Sequence, residues 1–176
     1  MDSILRTHGR FRIISHAYGL QDVALQVSRN LYQYFSADSM IVDGGQALTL
    51  GGGNVIRLAI GAKLPGGILE HHPIAVESRN TISMRDDEGA ERTYSADGLG
   101  AIFLRPLQGE ALELVIWGSD EGGIRTAARL LPMLTGVGQP DFVIVDRKTS
   151  WKGADGALAL GYFDSAWNVS KNSFFT

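Results

Sequence analysis

Apolar side chains recur along this 176-residue chain with two different periods, and the periods separate helices from strands. Leu20, Val23, Ala24, Val27, Leu31 and Tyr34 fall on one side of a 3.6-residue helix, with Gln21, Asp22, Gln26 and Arg29 on the other. The spacing predicts an amphipathic helix from 20 to 34. A second stripe, Ile124, Ala127, Ala128 and Leu131, follows Ser119, a residue type that caps helix N-termini. Asp120 and Glu121 would stand in its first turn, where the helix dipole favours negative charge, and Pro132 marks its end.

Other segments are short and almost continuously apolar, bounded by glycine or proline: Phe11–Ser15, 55–61, 100–104, Leu112–Gly118 and Phe142–Val145. Such runs are expected of strands covered on both faces. Residues 39–42 are consistent with one more short strand. Residues 73–76 and Thr81–Arg85 flank an Arg79-Asn80 turn, and 91–94 can pair back across the polar turn Asp86-Asp87-Glu88-Gly89. Strands alternating with helices predict an α/β domain, a three-layer sandwich of Rossmann or flavodoxin type on a mostly parallel sheet, edged by the hairpin at 73–94. Residues 1–9 read as a leader segment. From 147 to 176 the pattern weakens, and Trp151, Leu158, Leu160, Tyr162, Phe163 and Trp167 are scattered through a Gly-rich tail expected to wrap over the domain.

Composition narrows the partners more than the fold. With 44% apolar and 20% charged residues the chain is ordinary for a globular protein of one domain. A net charge of −3 supplies no broad cationic field for nucleic acid or an anionic membrane surface. No apolar run reaches the ~18 residues of a membrane-spanning helix. Met1-Asp2-Ser3-Ile4-Leu5-Arg6 lacks the apolar stretch of a signal peptide, as a recombinant fragment beginning with an added Met also would. The absence of cysteine removes disulfides, zinc–thiolate sites, iron–sulfur clusters and thiol nucleophiles together, and no cofactor is expected.

Several short constellations invite a chemical reading. Gly51-Gly52-Gly53-Asn54 precedes a strand rather than a helix, so its glycines are placed for a loop and not for a dinucleotide phosphate. Gly118, Ser119 and Asp120 lie between a strand and a helix, where open α/β sheets bind ligands; Gly61 and Lys63 follow another buried strand at the same kind of edge. These five residues form the candidate small-ligand crevice, although carboxylates in the first turn would repel a phosphate and favour helix capping. No Gly-x-Ser-x-Gly elbow occurs, so His16, after the first strand, has no nucleophile to serve. His71 and His72 are adjacent and cannot both face one metal from a regular element; a solvated loop is the preferred reading. Asp86-Asp87-Glu88 lacks the oxygen spacing of a calcium loop and reads as a hairpin tip. Asn168-Val169-Ser170 is the one N-glycosylation sequon, with Asn168 the candidate acceptor if the chain is secreted.

Certain segments also resemble a known class. The stretch from Gly98-Leu99-Gly100 through Arg105-Pro106-Leu107 to the strand Leu112–Gly118 is similar to the C-terminal domain of large secreted serine hydrolases of the prolyl oligopeptidase-like class. So are Ala127-Ala128-Arg129-Leu130-Leu131-Pro132, Pro140-Asp141-Phe142-Val143-Ile144, residues 24–35 and Gly53-Asn54-Val55-Ile56. The resemblance spans roughly residues 10–146, and the tail at 151–167 is similar to fungal members. It implies an extracellular, non-catalytic accessory module partnered with the preceding α/β-hydrolase domain of the same parent chain, which would carry every catalytic residue. The alternative is a small-ligand or nucleotide-binding α/β module using the loops at 61–63 and 118–123. A module of the first kind, isolated, is expected to expose an apolar face through its aromatic tail and to form a homodimer.

Overall fold

The computed structural model describes residues 4, 11–15, 19–44, 53–61, 64, 72–107, 110–132, 139–149 and 156–176. The elements run β1 (Phe11–Ser15), α1 (Gln21–Phe35), β2 (Ser39–Asp43), β3 (Val55–Ile60), β4 (Ile74–Ser78), β5 (Thr81–Arg85) and β6 (Glu91–Ser95). They continue as β7 (Gly100–Pro106), β8 (Leu112–Gly118), α2 (Glu121–Ala128), β9 (Phe142–Val145), β10 (Ala157–Gly161) and β11 (Phe174–Phe175).

Among the described residues eight strands form one mixed sheet in the order β11-β10-β9-β7-β8-β3-β1-β2. The β2-β1-β3-β8 half is parallel, and every pairing from β8 through β7, β9 and β10 to β11 is antiparallel. Strands β4, β5 and β6 make a separate antiparallel meander. Alternation along the central strands assigns each face of the large sheet its own cover. Ile56, Leu58, Ile102, Leu104, Leu114 and Ile116 pack with Val23, Ala24, Val27 and Leu31 of α1 and with Ile124, Ala127 and Ala128 of α2. Ala59, Ala101, Phe103, Val115 and Trp117 pack on the other side with Ile74, Ile82 and Met84 of the meander.

The Rossmann- or flavodoxin-like sandwich expected from the sequence is therefore not the fold. The molecule is mostly β: two helices, among the described residues, cover one face of a mixed sheet and a small β-sheet covers the other. The apolar runs at β7, β8 and β9 are strands buried on both faces, as expected, but burial on both faces does not require parallel neighbours when one cover is a second sheet. The hairpin at 73–94 lies in the meander instead of edging the large sheet, and the supposed loose tail supplies β10 and β11 to it.

Candidate functional site

The C-terminal ends of the neighbouring parallel strands β3 and β8 bring two of the sequence-predicted loops together. The Gly61 amide donates to the Gly118 carbonyl at 2.8 Å, so Gly61 and Gly118 are in contact; Lys63 lies outside the described residues. Ser119 is not the helix cap. Its amide donates to Leu99 O at 2.8 Å, and its buried hydroxyl has no hydrogen-bond partner. Asp120 caps α2 instead, one residue later, by accepting from the Gly123 amide at 2.8 Å. The same carboxylate accepts from the Gly98 amide at 3.1 Å and from Arg147 Nη2 at 3.2 Å. Its pKa is held below the usual carboxylate value, first by the Gly123 amide. The backbone packs tightly here: a Cβ at Gly118 would stand 2.2 Å from Ile124 N, and one at Gly123 would stand 2.1 Å from Leu99 O. The amide end of α2 thus faces the chain's own 97–100 turn and its own capping carboxylate.

At the opposite end of the sheet, residues far apart in sequence enclose a cleft of about 580 Å³. One wall is the β5–β6 turn. Asp86 shapes it, accepting from the Glu88 and Ala90 amides at 3.1 and 2.8 Å and pairing with Arg92 Nε at 2.9 Å. Asp86, Asp87 and Glu88 are thus a hairpin tip, with Asp87 and Glu88 exposed. The other wall is the 164–171 turn, closed by an antiparallel bridge between Phe163 and Val169. Asp164 organises it by accepting from the Ala166 and Asn168 amides at 2.9 and 2.8 Å. Trp167, at φ 65°, lines the cleft while its ring also contacts Phe163 (5.7 Å between centroids) and His72 (6.1 Å). Asn168 is exposed on the same wall.

Two polar groups beneath the meander escaped the sequence reading. Glu113 of β8 has no exposed side-chain surface and sits between Arg57 of β3 and Arg105 of β7, in ion pairs with both guanidinium groups. His72 is not in a solvated loop. It is half-buried, with Nε2 2.9 Å from the Leu104 carbonyl and Nδ1 3.1 Å from the Ile74 carbonyl and 3.2 Å from the Ile74 amide nitrogen. A carbonyl only accepts, so a proton belongs on Nε2; Nδ1 accepts from the Ile74 amide in the neutral ring and donates to the Ile74 carbonyl when the ring is protonated. Burial holds the His72 pKa below 6.5, opposed by its bonds to Ile74 and Leu104 and assisted by the charge of Arg105. A signal for the triad existed: charges at 57 and 113 interrupt runs read as buried strands, Arg105 directly follows a third, and buried charges need partners. His16, His71, Gly51, Gly52 and Trp151 lie outside the described residues. Asn54, at the start of β3, ties the Ile4 carbonyl to the Leu112 amide, each at 2.8 Å.

Among the described residues no group of three or more His, Cys, Asp or Glu side chains is placed to hold a metal ion, and no helix is long and apolar enough to cross a membrane. The buried ionisable groups above are each engaged by backbone or by an opposite charge. No family model matches the chain. Over 179 aligned residues, 99% of this chain, it is 42% identical to a fungal protein from Arthroderma benhamiae described only as an uncharacterized secreted protein. It spans a small part of that protein. The share is 19% of the relative's length, so the relative continues far beyond the fold described above.

Proposed function

We propose that this chain is a non-catalytic accessory module of a larger extracellular protein, docked on a neighbouring domain of the same polypeptide. The observation that carries the reading is the lopsided match: nearly the whole chain aligns with one-fifth of a secreted relative. The surface supports it. Leu25, Ser28 and Tyr32 form one stripe of α1, and Ser28 Oγ meets Ser39 Oγ of β2 at 2.7 Å. That contact sets the stripe beside β2, the terminal strand of the sheet order, where Met40 and Ile41 follow. Leu25 (48%), Tyr32 (68%), Met40 (40%) and Ile41 (40%) are all exposed. Ile41, in register with Ile13 of the α1-side core, shares the helix face, while Met40 points to the other face, and apolar surface at a sheet edge is what a neighbouring domain would cover.

The resemblance over residues 10–146 adds the finer reading that the neighbour is a preceding α/β-hydrolase domain of a serine peptidase or esterase. The test has two arms. Titration calorimetry between this chain and the remainder of the parent polypeptide should give saturable binding that Tyr32→Lys with Ile41→Lys abolishes; no binding between two folded partners would overturn docking. A fluorophosphonate probe should label the full secreted parent and not this chain. An unlabelled but active parent would overturn the serine-hydrolase part alone.

A further inference from the structure

We propose that Asn168 is an N-glycosylation site whose first sugar lies in the adjoining cleft against Trp167. The inference rests on the extracellular reading, because the modification occurs on the secretory route. Three observations carry it beyond the bare triplet. First, Asn168 is exposed at the end of a short turn, and the Phe163–Val169 bridge holds that turn at the protein surface. Second, the turn tolerates the new bond. Asn168 Nδ2 donates to Asp164 Oδ2 at 3.3 Å, and a primary amide has two N–H groups, so substitution of one leaves the other for Asp164. The other bonds of the turn, from Asp164 N to the Asn168 carbonyl and from Asn168 N to the Asp164 carboxylate Oδ1, both 2.8 Å, do not involve the modified atom.

Third, the residue before the acceptor is a half-buried tryptophan in the same cleft. Its ring is braced by Phe163 and His72, so it offers a fixed surface rather than a mobile one. The C–H face of a pyranose carries slight positive charge and fits the negative π face of an indole. The cleft, about 580 Å³, lies within the range of about 300–1,000 Å³ that accepts a small ligand. Asp87 and Glu88 on its far wall offer carboxylates to sugar hydroxyls. In the transfer, the anomeric carbon of a lipid-pyrophosphate-linked oligosaccharide forms a bond to Asn168 Nδ2. Its bond to the phosphate oxygen breaks, the lipid pyrophosphate departs with the electron pair, and the amide gives up one proton to a base of the transferase.

The chain is expressed behind a heterologous signal peptide in a fungal host, and the exported protein is weighed intact before and after trimming to one sugar. One glycan is expected, absent in Asn168→Gln and Ser170→Ala and retained in Ser170→Thr. A folded, exported chain without a glycan overturns the site. Absence of the native protein from culture medium would instead count against the extracellular reading alone. For the stacking, the protein bearing one sugar should melt a few degrees above Asn168→Gln, and that difference should vanish in a Trp167→Ala background. Equal shifts in both backgrounds overturn the contact. If Trp167→Ala does not fold, the indole N–H resonance of Trp167 serves: it should move between trimmed protein and Asn168→Gln, and an unmoved resonance overturns the contact equally.

Discussion

Glu113 shows how the sheet tolerates a charge at its centre. Taking a carboxylate fully out of water costs several kcal/mol, offset here only because β3 and β7 present Arg57 and Arg105 from either side. Glu113→Ala would remove the carboxylate from between two guanidinium groups, and the expected loss is about 3–5 kcal/mol. A shift in the urea midpoint at unchanged slope measures it; a variant within a few tenths of a kcal/mol of the parent would contradict the assignment. His72 makes a pH prediction. Its pKa is lowered by burial, so below 6.5 the unfolded chain binds a proton that the native state resists. Stability should be fully present above that value and decline as pH falls through it toward the lower native pKa. Aspartates with depressed pKa, Asp86 and Asp120 among them, act in the same direction but only below 3.8. Thermal unfolding from neutral to mildly acidic pH should therefore decline less steeply in His72→Gln, and equal slopes would refute the role.

At the scale of elements, α1 was fully legible because its apolar stripe has one period over fifteen residues. The buried strands were legible as strands but not in direction. A clue lay in the 107–111 link, which is too short for the crossover of a dozen residues or more that parallel neighbours require, so β7 and β8 had to be a hairpin. Strand β10 was hidden for another reason: its buried positions are Ala157, Ala159 and Gly161, while Leu158 and Leu160 are only half-buried, so hydrophobicity does not mark the inner positions. β11 has two residues and leaves no pattern. The cleft was invisible because its walls, 85–89 and 164–171, meet only through tertiary packing; the acidic turn and the sequon could be seen only separately. The junction of α2 with β7 gives a prediction at this scale. Gly123→Ala gains about 1 kcal/mol of helix propensity, yet its Cβ would stand 2.1 Å from the Leu99 carbonyl, and the backbone shift this forces costs about 1–3 kcal/mol or more. A lowered melting temperature is expected, and a raised one would show that α2 does not press on the 97–100 turn.

For the whole molecule, the question is which face meets a neighbour. The sequence pointed to the aromatic tail, but Phe163 and Trp167 pack against the core and Tyr162 is half-buried, so they do not form an exposed patch. The exposed apolar residues gather instead at the opposite edge, where the α1 stripe adjoins β2. An edge strand with apolar side chains is a template for pairing with another chain. Separated from a covering domain, two copies can join through this face about a two-fold axis, with Ile41 of each meeting the α1 stripe of the other. The isolated chain is therefore expected to dimerise at tens of micromolar, seen by equilibrium sedimentation. Tyr32→Lys with Ile41→Lys should render it monomeric without lowering its melting temperature much, because both side chains are already exposed. Lysine at an edge also repels a second copy directly. A parent chain that remains monomeric through that range would mean the α1–β2 face is not sticky enough to require a cover. A dimer that survives both substitutions would place the interface elsewhere, with Phe174, half-exposed on β11 at the far edge, the next residue to change.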